Sequence, residues 1–524
     1  MTTSERTAML RDLDIQGPTG SDRLTEHQGS RPLRRGHRAV WSVAAAGAVL
    51  LAACGGPPTS GDQEAGGRTT VAEGGDSKLP DCPLEALEKA TAPVKIDLWY
   101  GGLGGSTQAT MEGMAKRFNE SQDKVVVTAN NQGNAYQEVL RKYQAASPRP
   151  QQLPQVIYLE DTALGEMVDK GQVLPAEACM KADGYDTDQL MPAARAEFSV
   201  DGVLWPGYMN VSTPMLYFNK VHFQKAGLDP NDPPGTMEEV RAAAQKLKDA
   251  GVSQKPLSFK ADRWFFETWL TGIGQDIVNN DNGREGPATE ASFNTPEAAE
   301  LLGFLDQMNS DGLLNAFAAT EGSIDHYLAL VSEQSSMVIE TSTASTTIRD
   351  ALGGQITAAE AGIDFDQSVI DKANLVPGGG PYPGIESPGK VFASGGAFYI
   401  LNTGTPAEQA ASWQFLKFML QPENAREWHT NGGYLPVVKS VLDEEEVQTF
   451  WDTDVAGVLL KNAVDQLRAA DPDQAGPLIG PFPDYAEAVQ GAFEAVLFDG
   501  VEPAAALDKA EKSVNKTLSD YNGN

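Results

Sequence analysis

Apolar and polar positions alternate through Val94–Tyr100 (VKIDLWY), and the run then meets Gly101, Gly102, Gly104 and Gly105, the pattern of a strand entering a tight turn. Met111, Met114, Ala115 and Phe118 follow at i, i+3, i+4 and i+7, the apolar face of a helix packed on a sheet. The spacing then predicts a strand at 124–129, a helix over Tyr136–Ala146 and a buried strand at 155–159. The same grammar restarts at 215–219, with helices expected at 237–250, 265–271, 296–309 and 326–333. Strands at 336–339 and 397–401 and amphipathic helices at 406–420, 443–449 and 485–499 complete the pattern. Strands alternating with helices predict an α/β protein with parallel sheets, and the restart predicts a second lobe. The stretch 376–390, crowded with Gly and Pro, reads as a surface loop or a linker between lobes. Ligands of such sheets bind beyond the carboxyl ends of the strands, so 101–106, 159–162 and 340–343 are candidate walls of one cleft.

The segment ahead of this pattern has a different character. Arg31, Arg34, Arg35 and Arg38 precede an uncharged run of mostly Ala, Val and Leu at 39–53, which ends in Leu51, Ala52, Ala53 and Cys54. A permanent span needs about twenty apolar residues, and this run is shorter, as in a signal peptide. Residues 1–53 are therefore expected to form a signal peptide with a long n-region. The tetrad LAAC resembles a bacterial lipobox, which makes Cys54 the lipidated first residue of the mature chain. Residues 54–80, rich in Gly, Ser, Thr, Asp and Pro, read as a flexible tether. The two remaining cysteines, Cys82 and Cys179, form an even pair in an oxidising compartment and are expected to form a disulfide.

The part beyond residue 80 is too long for one ordinary core and suits two domains. Forty basic against seventy-two acidic residues, a formal charge of −32, exclude nucleic acid as a partner, because phosphate binding needs a Lys and Arg surface. Cofactor and catalytic motifs fail at defined positions. The GLGGST turn at 102–107 places Thr107 where a dinucleotide fingerprint needs its third glycine, and GIESPGK at 384–390 is followed by Val391 in place of Ser or Thr. The five histidines, His27, His37, His222, His326 and His429, make no metal-ligand spacing, and no G-x-S-x-G elbow is present. No cofactor and no metal are expected.

Four stretches carry a family resemblance: VSTPMLYFNK at 211–220, KAGLDP at 225–230, PENAREWH at 422–429 and GYLPV at 433–437. Together they make the chain from about 96 to 518 similar to the extracellular solute-binding proteins of carbohydrate ABC importers, and within them to the glycerol phosphate binders. The resemblance implies a two-lobed, type II periplasmic-binding-protein-like α/β fold with the ligand cleft between the lobes. It assigns 93–210 plus 397–437 to the first lobe and 211–396 plus 438–524 to the second. Crossings between the lobes are expected near 210–214, 390–397 and 436–442. It further implies a monomer that meets permease and ATPase subunits at the outer face of the cytoplasmic membrane.

Carried over residue by residue, Tyr136 resembles the tyrosine that follows Gly-Asn, and Glu160 or Asp161 the acidic sugar-binding position. Ser212 resembles the hinge serine, Thr341 and Ser342 the polar pair after a Met-containing strand, Gly396 a backbone N–H donor, and Tyr434 the tyrosine of GYLP. Hydroxyls and a carboxylate suit a polyol, since each exchanges hydrogen bonds with ligand hydroxyls. Two departures stand out. Leu478 in LIGP sits where the glycerol phosphate binders carry an arginine, and Met237 where the bacterial prototype carries a tryptophan. Loss of a bidentate cation disfavours a phosphate dianion. The reading is thus a neutral sugar, polyol or glycoside, with glycerol 3-phosphate or a glycerophosphodiester as the second choice. A stacking platform for a sugar could come from Trp99, Tyr100, Trp205, Tyr208, Trp264 or Trp269, each of which could equally be core. The competing class is a cell-surface glycoside-processing enzyme that uses two cleft carboxylates.

Overall fold

The computed structural model describes residues 79–320, 323–354, 368 and 373–523. The expected leader, Cys54 and all but the last two residues of the tether lie outside them.

Thirteen strands are described: β1 (Val94–Tyr100), β2 (Val125–Asn131), β3 (Val156–Glu160), β4 (Val173–Leu174), β5 (Ser199–Val200), β6 (Val203–Leu204), β7 (Tyr208–Ser212), β8 (Pro214–Asn219), β9 (Leu257–Ala261), β10 (Leu314–Ala318), β11 (Met337–Thr341), β12 (Pro377–Gly380) and β13 (Ser394–Leu401). They form two main sheets. The first has the order β2-β1-β3-β13-β4, with β7 also paired to β13; the second has the order β10-β9-β11-β8-β12. Each sheet is the floor of one lobe. In β1 the buried residues are Ile96, Leu98 and Tyr100, the period of two that the alternation announces. In β8 and β11 alternate residues serve opposite layers. Leu216, Phe218, Met337 and Ile339 enter one core around Phe259 and Trp269, while Met215, Tyr217 and Val338 enter the other.

The sheets are mixed, which corrects the expectation of parallel ones. β1 pairs with β2 and β3 in parallel and β9 with β10 and β11 in parallel, but β13 runs antiparallel to β3, β4 and β7, and β8 antiparallel to β11 and β12. The reason lies in the crossings. β7 ends at Ser212 and β8 begins at Pro214, so one nearly continuous extended segment leaves the first sheet and enters the second with its direction set by the crossing. A second correction concerns 376–390: four of its residues form β12, a Pro-Gly-Gly-Gly strand on β8. A Cβ at Gly378 would lie 2.4 Å from the Phe218 ring, so the glycines let this strand lie against an aromatic residue.

Caps fix the helices that matter for the site. Asp262 accepts from the Trp264 backbone N–H and opens the helix Arg263–Gly272; Thr236 closes a capping box with Glu239 at the start of Met237–Asp249. The helix Pro422–Gly432 ends at Gly433 in the left-handed region (φ 79°), where a Cβ would meet Thr346 Oγ1 at 2.7 Å. Only glycine satisfies both conditions, and it delivers Tyr434 to the cleft. Near the amino end, Cys82 is bonded to Cys179 in the helix Ala176–Ala182, with Cα atoms 4.9 Å apart.

Candidate functional site: the cleft between the sheets

A cavity of about 510 Å³ opens between the carboxyl ends of β1 and β3 on one side and of β9 and β11 on the other. Its size falls in the range of small-molecule sites. The first sheet and its loops contribute Gly102, Tyr136, Glu160, Asp161, Ser212, Gly395 and Tyr434; the second sheet and its loops contribute Lys260, Asp262, Arg263, Trp264, Glu267, Glu340 and Thr341. The helix Phe482–Asp499 adds Phe482, Glu487 and Gln490.

On the first lobe, hydroxyls form a chain. Tyr136 Oη lies 3.1 Å from Tyr158 Oη and 3.2 Å from Tyr434 Oη, and Asn210 Nδ2 donates to Tyr158 Oη at 2.5 Å. Trp428 Nε1 donates to Asn210 Oδ1 behind them. Burial, reinforced by the neighbouring tyrosines, holds the Tyr136 phenol well above its ordinary pKa, so it stays a neutral donor and acceptor. Tyr434 is anchored through its carbonyl. Trp451 Nε1 donates to His429 Nε2 (2.8 Å), which leaves the proton on Nδ1 to donate to the Tyr434 oxygen at 2.7 Å. Burial brings His429 down to about 4 despite that carbonyl, and the ring is neutral at physiological pH.

Asp161 accepts from Thr162 N (2.8 Å) and from Gly395 N (3.1 Å). Burial, with Glu197 and Glu160 nearby, raises its carboxyl well above the usual range. The second lobe is built from ion pairs instead. Lys260 Nζ stands 3.6 Å from Asp262 and 3.7 Å from Glu340, which also meets His326 Nε2 at 2.5 Å and accepts from Thr341 N at 2.8 Å. Burial alone would raise Glu340; Lys260 and His326 outweigh it and hold the carboxyl at about 2. Arg263 Nη1 donates to both oxygens of Glu267 (3.0 and 2.9 Å), Tyr485 Oη donates to the same carboxylate, and the guanidinium lies over the Phe482 ring. Trp264 lines this wall, and its buried indole N–H has no partner among the described residues.

Six of the eight residues expected at the ligand meet on this wall: Tyr136, Glu160, Asp161, Ser212, Thr341 and Tyr434. Ser342 and Gly396 do not line it. Ser342 is fully buried; its Oγ accepts from Thr213 N and its carbonyl from Tyr217 Oη, which staples the crossing segment to β11. Gly396 faces the core, and a Cβ there would sit 2.3 Å from the Tyr158 hydroxyl, so it makes room for the tyrosine chain while Gly395 supplies the wall. Leu478 is also off the wall, buried against the turn at Gly283, and the residue that reaches the cavity is Pro477. Of the aromatic candidates, Trp264 lines the cavity, whereas Trp269 is buried in the second core with its indole donating to the Pro383 carbonyl. Sequence reasoning missed Lys260, Arg263 and Glu267; Glu340 was reached only as part of the candidate wall 340–343. The one local signal was an arginine four residues before a glutamate at the start of an aromatic-rich helix.

Two α/β lobes with strand crossings and an interlobe cavity define a protein that captures a small molecule between its halves. The chain belongs to the bacterial extracellular solute-binding proteins, whose family model matches residues 113–455. Among characterised relatives, the sn-glycerol-3-phosphate-binding periplasmic protein UgpB of Brucella abortus (strain 2308) is 26% identical over 446 residues, covering 82% of this chain and 94% of that protein. The UgpB of Shigella dysenteriae serotype 1 is 26% identical over 448 residues, covering 84% and 95%. The same fold is found in UgpB from Mycobacterium tuberculosis in complex with glycerophosphocholine (TM-score 0.66, 19% identity, 82% of this chain and 99% of that one). It is found too in the cyclic alpha-maltosyl-1,6-maltose binding protein from Arthrobacter globiformis (TM-score 0.62, 23% identity, 82% and 100%).

Proposed function

We propose that this protein is the lipid-anchored, non-catalytic receptor subunit of an ABC importer and that its ligand is a neutral, hydroxyl-rich solute: a sugar, polyol or glycoside. The observation that carries the ligand class is the charge of the wall. Seven carboxylates line it (Glu160, Asp161, Glu197, Asp262, Glu267, Glu340 and Glu487) against two cations (Lys260 and Arg263), and each cation is already paired within the chain. Neutral hydroxyls can bridge such groups, whereas an anion meets repulsion. Tyr136, Asp161, Ser212, Thr341 and Tyr434 are assigned as the polar contacts and Trp264 as the stacking surface. The lobes are taken as 93–210 plus 397–437 and 211–396 plus 438–524, and Cys54 as the lipidated residue.

A glycerophosphodiester is the second reading. Lys260 and Arg263 are cavity cations that a phosphate could reach, and the Brucella and Shigella relatives bear names that include glycerol 3-phosphate. A thermal-shift screen of sugars, polyols, glycerol 3-phosphate and glycerophosphodiesters separates the two. A ligand at one hundred times its Kd stabilises the folded state by about 2.7 kcal/mol. Stabilisation by neutral compounds alone supports the first reading, and stabilisation by phosphodiesters alone replaces it. Turnover of a labelled oligosaccharide by the purified protein would overturn the non-catalytic assignment.

A further inference from the structure

Arg284 joins the two halves of the molecule through its side chain. It belongs to the second lobe, since Ile277, Val278, Ala288 and Ala291 around it enter the second core. Its guanidinium reaches the first lobe. Nη1 donates to the carbonyls of Ala196 (3.3 Å), Glu197 (2.9 Å) and Ser199 (3.2 Å), at and just beyond the end of the helix Pro192–Glu197. Nη2 donates to Glu197 Oε1 at 3.0 Å, and Nε and Nη2 both donate to the Gly476 carbonyl. Glu197 is flanked by Ala194, Phe198 and Val200 of the first core, and its other oxygen accepts from Gly476 N at 2.7 Å. A buried carboxylate of one lobe is thus held by donors of the other, and the same carboxylate stands on the cavity wall.

The backbone behind Arg284 is strained. Asn280, Asp281 and Asn282 all occupy the left-handed region (φ 59°, 52° and 54°), followed by Gly283 at 76°. A run of three such residues persists only where surrounding contacts over-determine it. Those contacts are present: Asn282 Oδ1 accepts from Ile277 N, the Asn282 carbonyl accepts from Leu478 N, and Arg284 makes the fork described above.

We propose that Arg284, Glu197 and Gly476 form a non-covalent strut beside the covalent crossings, and that Arg284 is a positioning residue that sets the angle between the lobes. The strut acts on the cavity from outside it, through lobe geometry and the placement of Glu197.

The test needs no ligand, so its failure leaves the ligand assignment standing. In the full chain carrying Cys54→Ser, spin labels at Lys124→Cys and Gln254→Cys, both exposed and on opposite lobes, report the interlobe distance by double electron–electron resonance. The parent should give one narrow distribution. Arg284→Ala should broaden it and add a second component, and Arg284→Lys, which keeps a charge for Glu197 but cannot fork to three carbonyls, should fall between. A merely structural role would lower the melting temperature while leaving the distances where they are. If the distribution of folded Arg284→Ala superimposes on the parent's, the strut is refuted. Should Arg284→Ala fail to fold, Glu197→Gln in the same assay decides: broadening supports the strut and an unchanged distribution overturns it.

Discussion

The glycine at 396 offers the sharpest check on how the hydroxyl wall is built. Replacing Gly396 with alanine places a Cβ 2.3 Å from both Cζ and Oη of Tyr158, a separation at which something must move. The ring cannot simply retreat, because it packs on Phe398 with centroids 4.6 Å apart and its hydroxyl takes the Asn210 proton at 2.5 Å. Overpacking a well-filled core costs about 1–3 kcal/mol. Stranding the buried Asn210 amide adds about 1–3 kcal/mol. The expected loss is therefore about 2–6 kcal/mol, a large share of a typical domain's 5–15 kcal/mol. Urea unfolding followed by circular dichroism measures it. Gly491→Ala is the matched control: its Cβ meets nothing within 4 Å and it lies inside the helix Phe482–Asp499, so it should stabilise by about 0.5–1 kcal/mol. If Gly396→Ala unfolds within about 0.5 kcal/mol of the parent, the tyrosine chain is not held as described.

Three further outcomes are expected. Folded His429 titrates near 4 against about 6.5 unfolded, so the unfolded state binds the extra proton in that window; stability should fall by about 3 kcal/mol as pH drops from 6.5 to 4, and His429→Gln should remove that slope in pH-resolved unfolding. Breaking the Cys82–Cys179 bond by Cys179→Ala releases a link between residues 97 apart and should cost about 2–4 kcal/mol in non-reducing urea titrations, with no loss refuting a stabilising role. Tyr136→Phe keeps the ring and removes the hydroxyl; calorimetry with the solute found in the thermal-shift screen should show about tenfold weaker binding, and equal affinity would take Tyr136 out of the site.

Much of the scaffold was legible because it rests on local periodicity. The observed bounds of Val94–Tyr100 and Tyr136–Ala146 coincide with the hydrophobic pattern, and the cleft lies at the strand ends that pattern located. What was not legible has particular causes. The strand β12 reads as a loop because its glycines report the nearness of the Phe218 ring, a fact of tertiary packing. Ser342 and Gly396 each miss the wall by one residue, and in an extended chain one residue is the whole difference between facing the ligand and facing the core. Thr341 and Gly395, their neighbours, are on the wall. The ion pair of Arg263 and Glu267 is local, four residues apart on one helix, yet nothing local says that the helix points it into a cavity.

That ion pair also decides what an anionic ligand would have to do. A phosphate that binds Arg263 must share or displace Glu267, which is itself almost fully buried and would keep only the Tyr485 hydroxyl. Leaving a buried charge without its partner costs about 3–5 kcal/mol, whereas a hydrogen bond to a charged group returns about 1.5–3 kcal/mol. Lys260 is no easier a target, since Glu340 and Asp262 together hold it against burial. A neutral hydroxyl faces no such exchange: it can donate to Asp161 and join the tyrosine chain with every ion pair left intact. On the proposed reading, the second lobe therefore disfavours charge by having satisfied its own, and the first lobe favours hydroxyls by leaving a chain of them buried beside the cavity.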